Sequence, residues 1–250
     1  MAIYENFAAI YDVLMEDIPY DIWISQIESL WKKHGVSPKL VLELGCGTGN
    51  TTYLFEHKGY SMIGLDYSGE MLAQALAKKP CGSDILFLQQ DMREFELYGT
   101  VDAIISVFDC MNYILTVPDL CRVFKNAHNY LNPGGLFIFD YNTRERFIDI
   151  SEGRTISRMF PEAACILENF YNEDEDINEF TGSFFVREED SGLYRRFDEY
   201  HFQKAFDIPE MTEAAKASGL EIIDVVDADF MDNFTKASER LYVVCRKDIV

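Results

Sequence analysis

The 250-residue chain is predicted to form an α/β fold in which helices cover both faces of a mostly parallel sheet. Apolar runs of strand length alternate with helical segments from residue 40 to residue 140, as in successive strand–helix–strand units. Three glycines follow the first run, and aspartates stand at or just past the ends of later ones: Asp66, Asp91, Asp109 and Asp140. Ligands of such sheets bind beyond the carboxyl ends of the strands, so these residues predict the ligand site.

Two helices are predicted before the first strand. Residues 4–15 place Tyr4, Phe7 and Tyr11 near helical spacing. Residues 21–33 carry both tryptophans on one apolar face, and Gly35 is the predicted stop signal after this helix.

The alternating region is predicted to contain five strands with helices between them. The strands are residues 40–44, 61–65, 85–88, 102–107 and 136–139. The helices are residues 50–58, a segment with Ser68 as its N-cap, and a segment running from Pro118 toward Tyr130. Residues 132–135 read as a turn before the fifth strand.

After residue 150 the pattern changes to an antiparallel meander, inserted after the fifth strand. Its strands are residues 165–171, 180–186 and 194–202, with acidic turns at 173–176 and 188–192. A helix (209–218), two strands (221–226 and 241–245) and an intervening loop (227–239) complete the chain. We therefore expect one domain from residues 1–145 and 207–250, and an inserted β subdomain at 146–206.

Charge and composition narrow the choice of partner. The formal net charge is -21, and no cluster of Lys or Arg offsets it, so nucleic acid and anionic membranes are poor substrates for this surface. A small molecule, neutral or cationic, is favoured, although an acidic surface also serves solubility alone. The N-terminus has no signal-peptide pattern, and no apolar run approaches the ~20 residues of a membrane span.

Six scattered cysteines without a C-x-x-C pair suit reduced thiols in the cytoplasm rather than a disulfide framework or a zinc site. No metal site is predicted. For the assembly state we expect a monomer or a homodimer.

The glycine loop, residues 45–49, does not match a dinucleotide fingerprint. That fingerprint requires glycine at its sixth position, where this chain has Asn50. The loop also lacks the Gly-Lys-Ser/Thr ending of a P-loop. Asp66, however, stands where a carboxylate holds ribose hydroxyls. Tyr67 and Met71 suit an adenine face, and Asp91-Met92 suits an adenine edge.

Several motifs follow one another in a fixed order. They are Glu43-Leu44-Gly45-Cys46-Gly47-Thr48-Gly49, Gly64-Leu65-Asp66-Tyr67-Ser68, Asp91-Met92, Asp102 through Asp109, and Leu131-Asn132-Pro133-Gly134-Gly135. In this order the chain resembles the class I S-adenosylmethionine-dependent methyltransferases over about residues 36–140. The resemblance implies a Rossmann-like sheet of seven strands whose last strand is antiparallel.

Further motifs resemble a bacterial, small-molecule-type subgroup of that family. They are Tyr4-x-x-Phe7-Ala8-x-x-Tyr11-Asp12, Asn112-Tyr113, and the end of the meander at His201-x-Gln203-Lys204-Ala205-Phe206. The subgroup is not tied to one acceptor, so the resemblance names none.

The resemblance implies S-adenosylmethionine as the cofactor and assigns roles around it. Gly45, Cys46 and Gly47 approach its methionyl and ribose parts, Glu43 lies beneath its amino acid end, and Asp66 holds the ribose. Asp91 and Met92 hold the adenine, with Tyr67 and Met71 over its face. Tyr11 closes over the methionyl end, and the backbone near Phe108 faces the amino group or the adenine.

The acceptor is expected to be a small amine, hydroxyl or carboxylate compound methylated by in-line displacement. A hydroxyl acceptor needs a base within hydrogen-bond reach. The candidates are Asp109, Tyr113, Asp140, Tyr141 and His201, although a lone histidine on a strand is more often structural. The meander either covers the acceptor pocket or forms a dimer surface.

Two other functions remain open at this point. One is a nucleotide-cofactor oxidoreductase, against which Asn50 argues. The other is a regulatory protein that binds S-adenosylmethionine without catalysis.

Overall fold

The computed structural model describes residues 7–153, 155–188 and 191–249. Tyr4, at the start of the first predicted helix, lies outside the described residues. So do Glu189 and Asp190 of the second predicted acidic turn.

Seven helices and eleven strands make up the described chain. The helices are α1 (Ala8–Leu14), α2 (Tyr20–Lys33), α3 (Asn50–His57), α4 (Gly69–Lys78), α5 (Val117–Tyr130), α6 (Arg144–Ser151) and α7 (Ile208–Ala217), with a 3-10 helix at Cys110–Tyr113. The strands are β1 (Leu40–Leu44), β2 (Ser61–Asp66), β3 (Leu86–Gln89), β4 (Val101–Ser106), β5 (Leu131–Asn142), β6 (Ile156–Met159), β7 (Ala163–Asn172), β8 (Ile177–Arg187), β9 (Tyr194–Lys204), β10 (Leu220–Asp227) and β11 (Arg240–Lys247).

The central sheet has seven strands in the order β10-β11-β5-β4-β1-β2-β3. Strands β1 to β5 pair in parallel, whereas β11 is antiparallel to both of its neighbours. The predicted fold, a mostly parallel seven-stranded sheet in which the last strand along the chain is antiparallel, is therefore confirmed.

Two hydrophobic clusters cover the two faces of this sheet. Within β1, Leu42 and Leu44 pack on the face shared with α5 and α7, while Val41 packs on the face shared with α2 and α3. Because both faces are covered, the strands are apolar along their whole length, as parallel strands usually are. Glu43 in β1 and Asp140 in β5 are exceptions, carboxyl side chains that are 1% and 0% exposed.

Side-chain caps fix where several helices begin. The Ser68 hydroxyl accepts from the amide of Met71 at 3.2 Å, as predicted. Helix α7 begins with a capping box in which the Asp207 side chain accepts from the amide of Glu210, and the Glu210 side chain accepts from the amide of Asp207. No described helix is long and apolar enough to cross a membrane.

The second sheet is antiparallel, in the order β6-β7-β8-β9. The three predicted meander strands correspond to β7, β8 and β9, but β6 and α6 were not predicted. Strand β6 has only four residues, three of them exposed, and α6 buries only Phe147. Neither segment has a hydrophobic period that identifies it from sequence.

The predicted turn at residues 132–135 is wrong, because these residues lie inside β5. The register with β4 shifts there: Val101 pairs with Leu131, and Ala103 with Leu136. Gly134 has a φ of +77°, and a Cβ at Gly135 would lie 2.8 Å from the Asp102 carbonyl. The Pro-Gly-Gly sequence thus forms a bulge within the strand rather than a turn before it.

We expect Asp207→Ala to lower the free energy of unfolding by about 1 kcal/mol, because it removes one half of the capping box. Urea unfolding at fixed pH measures the change. Thr212→Ala, on the exposed face of the same helix, is the matched control and should cause no loss. Equal losses in the two variants would contradict a capping role for Asp207.

Candidate active site

A cavity of about 560 Å³ opens at the carboxyl ends of the central strands and extends to the second sheet. This volume is within the usual range for small-molecule sites. Every residue predicted to contact the cofactor lines it: Tyr11, Glu43, Gly45, Cys46, Gly47, Asp66, Tyr67, Met71, Asp91, Met92 and Phe108. Of the predicted acceptor-side residues, Asp109, Tyr113 and His201 also line it, and Tyr141 does not.

The glycine loop is held tightly against β2. The amides of Gly45 and Cys46 both donate to the Leu65 carbonyl, at 2.7 and 2.9 Å. The amide of Gly47 donates to the Asp66 carboxylate at 2.8 Å. Gly45 has a φ of +73°, and a Cβ there would lie 2.5 Å from the Cys110 sulfur. The loop therefore needs glycine at position 45 for both its conformation and its packing.

Glu43 lies at the floor of the cavity. Its carboxylate accepts hydrogen bonds from the hydroxyls of Thr51 and Thr52, the latter at 2.5 Å. Burial raises its pKa to about 7, although the two hydroxyl donors oppose that shift. Glu43 therefore changes between its neutral and ionised forms near neutral pH.

Asp66 and Asp91 stand at the ends of β2 and β3. Asp66 accepts from the amides of Gly47 and Ser68, both at 2.8 Å, while burial raises its pKa. Asp91 binds the Arg93 guanidinium through both of its oxygens, at 2.5 to 3.1 Å. Burial tends to raise the pKa of Asp91, but the hydrogen bonds from Arg93 outweigh it and lower that pKa.

Asp12 joins α1 to the glycine loop, a role that the sequence did not reveal. Its carboxylate accepts from Thr48 at 2.6 Å, from Asn50 at 3.0 Å and from Lys78 at 2.6 Å. Asn50, which distinguishes the loop from a dinucleotide fingerprint, also accepts from Lys78 at 2.6 Å. These contacts hold Tyr11, the neighbour of Asp12, at the cavity.

Tyr113 and His201 form a pair where the second sheet meets the cavity. The Tyr113 hydroxyl lies 3.2 Å from Nδ1 of His201, and the imidazole packs against Phe180. His201 is 2% exposed, and burial lowers its pKa to about 4. The imidazole is therefore neutral at physiological pH and is able to accept a proton from a nearby donor only weakly.

Two consecutive residues between β4 and the 3-10 helix have left-handed backbone conformations. Phe108 has a φ of +64° and Asp109 a φ of +50°, which costs free energy in residues other than glycine. Phe108 stacks on Trp23 with ring centroids 4.1 Å apart, and the amide of Asp109 donates to Asp140. These contacts hold the turn against the cavity.

Arg240, from β11, neutralises the carboxylates around this turn. It lies 3.0 Å from Asp109 and 3.1 Å from Asp140, and its guanidinium stacks 4.5 Å from the centroid of Trp23. Gln203 donates to the other oxygen of Asp109 at 2.5 Å. Burial still raises the pKa of Asp109, and that of Asp140 to about 6. Sequence spacing gave no signal for Arg240 or Gln203, because both partners are distant in the chain.

Tyr141 and Asp140 lie beneath the cavity rather than in it. The Tyr141 hydroxyl donates to the Phe206 carbonyl, and its side chain is buried. Asp140 is fully buried and bound by Arg240. Both side chains have partners that account for them structurally.

We expect Gly45→Ala to destabilise the protein by about 2 kcal/mol, since the added methyl group meets Cys110. Gly47→Ala is the matched control, because it also has a positive φ but no atom within 4 Å of the added Cβ. The free energies of unfolding of both variants are measured in urea. A loss in Gly45→Ala no larger than in Gly47→Ala would refute the steric explanation.

Comparisons with known proteins agree with this geometry. A family model described as a methyltransferase domain matches residues 41–135. The Bacillus subtilis (strain 168) protein named "Putative methyltransferase YqeM" is 36% identical over 247 residues, covering 98% of this chain and 97% of that protein. A Streptomyces venezuelae dTDP-3-amino-3,4,6-trideoxy-alpha-D-glucopyranose N,N-dimethyltransferase is 26% identical over 228 residues, covering 87% and 91% of the two chains.

A solved structure shows the same fold over the whole chain. The crystal structure of an S-adenosylmethionine-dependent methyltransferase from Clostridium acetobutylicum ATCC 824 superposes with a TM-score of 0.85 at 30% identity, covering 98% of this chain and 99% of that one. Its similarity includes both the central sheet and the second sheet, because almost no residue of either chain is left out. The chain therefore belongs to the S-adenosylmethionine-dependent methyltransferases.

Proposed function

We propose that this methyltransferase transfers the methyl group to a small-molecule nitrogen or oxygen nucleophile by in-line displacement. The observation that carries the proposal is one cavity whose lining includes both the glycine loop and the Tyr113–His201 pair. The Streptomyces venezuelae relative, named for methylation of a sugar amine, supports a small acceptor. Carboxylate acceptors are included in the class to be tested.

The polar groups around the cavity fit S-adenosylmethionine. The carboxylate of Glu43 would hold its cationic amino group, Asp66 its ribose hydroxyls, and Asp91 with Met92 its adenine. Tyr67 and Met71 would cover the adenine face. Cys46 and the neighbouring glycines would lie along the methionyl and ribose parts of the cofactor. The bound cofactor supplies a methyl group already activated by a sulfonium sulfur.

The protein's own contribution is alignment and exclusion of water. Tyr11 and Phe108 flank the cavity, and the contacts of Asp12 and of Trp23 hold them there. Holding two reactants in the reactive geometry is worth about 7–11 kcal/mol of the barrier. We propose that the Tyr113–His201 pair orients the acceptor through hydrogen bonds, with Asp109 holding the adjoining turn.

We further propose that residues 146–206 form an acceptor lid, since β8 and β9 contribute Phe180, His201 and Phe202 to the cavity. A dimer surface is the alternative use of this sheet, and gel filtration with light scattering distinguishes a monomer from a homodimer. Six free cysteines agree with the proposal of a reducing, cytoplasmic setting.

A panel of amines, phenols and carboxylic acids, read out as release of S-adenosylhomocysteine, tests the function. We expect release with at least one member and none without acceptor. Binding of S-adenosylhomocysteine with no release across the panel would instead favour a regulatory protein. Failure to bind it by calorimetry would revive a different nucleotide cofactor.

Glu43→Gln should weaken binding of S-adenosylhomocysteine at pH 8 by about tenfold, because a hydrogen bond to an ionised carboxylate is lost. The same variant should make the unliganded protein relatively more stable as pH rises. The pKa of Glu43 is raised to about 7 in the folded protein. The protonated side chain therefore contributes fully to stability below the pKa that Glu43 has in the unfolded protein, and this contribution is lost as pH rises through 7.

Thermal unfolding at pH 5 and pH 8 measures this effect. The melting temperature of Glu43→Gln relative to wild type should be higher at pH 8 than at pH 5. Glu94→Gln, at an exposed position, should show no such difference. A relative melting temperature that falls with pH would count against an unfavourable buried charge at Glu43.

His201→Asn should lower kcat for a hydroxyl acceptor by about tenfold, because a hydrogen bond that orients the acceptor is lost. The dissociation constant of S-adenosylhomocysteine should stay within about twofold, because His201 belongs to β9 of the second sheet, where it contacts Tyr113 and Phe180. Since the pKa of His201 is about 4, its contribution should be constant above pH 5 and fall as pH approaches 4.

The matched control for His201→Asn is Tyr141→Phe. Tyr141 lies outside the cavity, so this variant should lose stability through its hydrogen bond to Phe206 while keeping kcat. A large loss of kcat in Tyr141→Phe, or none in His201→Asn with a hydroxyl acceptor, would contradict the proposed roles.

A further inference from the structure

One side of the cavity differs in chemistry from the side that faces the glycine loop. We define the acceptor chamber as this side, contributed by α1 and the turn after it, by the 3-10 helix and the residues following it, and by the second sheet. Its apolar lining is Phe7, Met15, Ile114, Leu115, Phe180 and Phe202. Its polar groups are those of tyrosine and histidine, chiefly the Tyr113–His201 pair. The 3-10 helix also contributes the Cys110 thiol. Apart from Asp109, which immediately precedes that helix, the described lining residues of the chamber include no Lys, Arg, Asp or Glu.

The charged residues that line the cavity, including Asp109 beside the chamber, are already bound to protein groups. Arg93, the only Lys or Arg among the described lining residues, is held by Asp91 and lies 3.6 Å from Asp119. Asp109 is bound by Arg240 and Gln203. A ligand placed in the acceptor chamber therefore finds no described side chain available to neutralise a full charge.

An ion buried without a partner loses its hydration without compensation, which costs several kcal/mol even after the protein relaxes. Aromatic and aliphatic walls favour a flat apolar body instead. The hydroxyl of Tyr113 and the imidazole of His201 are suited to one polar hydrogen on such a body.

We propose that the acceptor is an uncharged aromatic compound whose methylated atom is a phenol-type hydroxyl oxygen or a weakly basic ring-attached amine nitrogen. This inference rests on the proposed function and narrows it. Carboxylates, phosphates, nucleoside diphosphates and alkylammonium ions are excluded from the acceptor class. In the transfer, the acceptor oxygen or nitrogen forms the bond to the methyl carbon as the carbon–sulfur bond breaks. The acceptor's O–H or N–H proton leaves to water.

The inferred class differs from the substrate named for the Streptomyces venezuelae relative. That relative is named for a sugar carried on dTDP, whose diphosphate is anionic. The present chain offers that diphosphate no described cation in its acceptor chamber. The two proteins thus share a fold and 26% identity but are inferred to take acceptors of different charge.

Equilibrium binding to protein saturated with S-adenosylhomocysteine tests the inference without requiring turnover. The probes are 4-ethylphenol, 3-(4-hydroxyphenyl)propanoate and tyramine, which share one phenol and differ in the charge of the side chain. Wild type should bind 4-ethylphenol at least about tenfold more tightly than either charged probe. dTDP should not compete with it.

A single substitution should reverse the preference. Leu115 lines the chamber and is 38% exposed, so Leu115→Lys places an ammonium at the rim without filling the core. We expect Leu115→Lys to gain about tenfold in affinity for the propanoate probe and to leave 4-ethylphenol within about threefold. Leu115→Met is the matched control and should keep the wild-type order of affinities.

Equal or tighter binding of the propanoate, of tyramine or of dTDP by wild type overturns the inference. So does the absence of detectable binding of 4-ethylphenol, or an equal gain of affinity for the propanoate in Leu115→Met. Failure of the proposed function gives a different result. In that case 4-ethylphenol binds in the predicted order, but no acceptor releases S-adenosylhomocysteine from the methylated cofactor.

Discussion

The walls of the cavity depend on Arg240. Its guanidinium lies between the carboxylates of Asp109 and Asp140 and stacks on Trp23, which in turn stacks on Phe108. Without that cation two carboxylates would stand unpaired at the ends of β4 and β5, a strongly unfavourable arrangement. The antiparallel strand β11 thus stabilises a left-handed turn on which the cavity is built, as well as completing the sheet.

The two elements outside the central sheet are fastened to this arrangement by polar contacts. Helix α1 is held at the glycine loop by Asp12, and its Ile10 and Leu14 pack against the second sheet. The second sheet is held at the turn by Gln203, and Asn112 donates to the Lys204 carbonyl beside it. Helix α1 and the second sheet contact each other, and each is also bound to residues that line the cavity. A displacement of one would therefore strain the contacts of the other.

The sequence was sufficient where a structural feature has a local cause. Both ends of strand β1 were predicted correctly. The strand stops at Gly45, where the positive φ and the contact with Cys110 require glycine. The predicted cofactor residues were chosen by residue type and by position at strand ends, and all of them line one cavity. Long-range pairing left no such signal: Arg240 is 131 positions from Asp109, and nothing in one sequence joins them. Tyr141 was a candidate acceptor-side residue because it follows a predicted strand end. Its hydroxyl instead donates to the Phe206 carbonyl, and it does not line the cavity.

In the proposed binding mode, Glu43 couples the cofactor site to the solution around it. With a pKa near 7, the carboxyl carries a proton in part of the unliganded molecules at neutral pH. A cationic group bound beside it favours the ionised form, so binding drives that proton into the buffer. In that binding mode the heat of cofactor binding near neutral pH includes the ionisation heat of the buffer, and the binding affinity depends on pH.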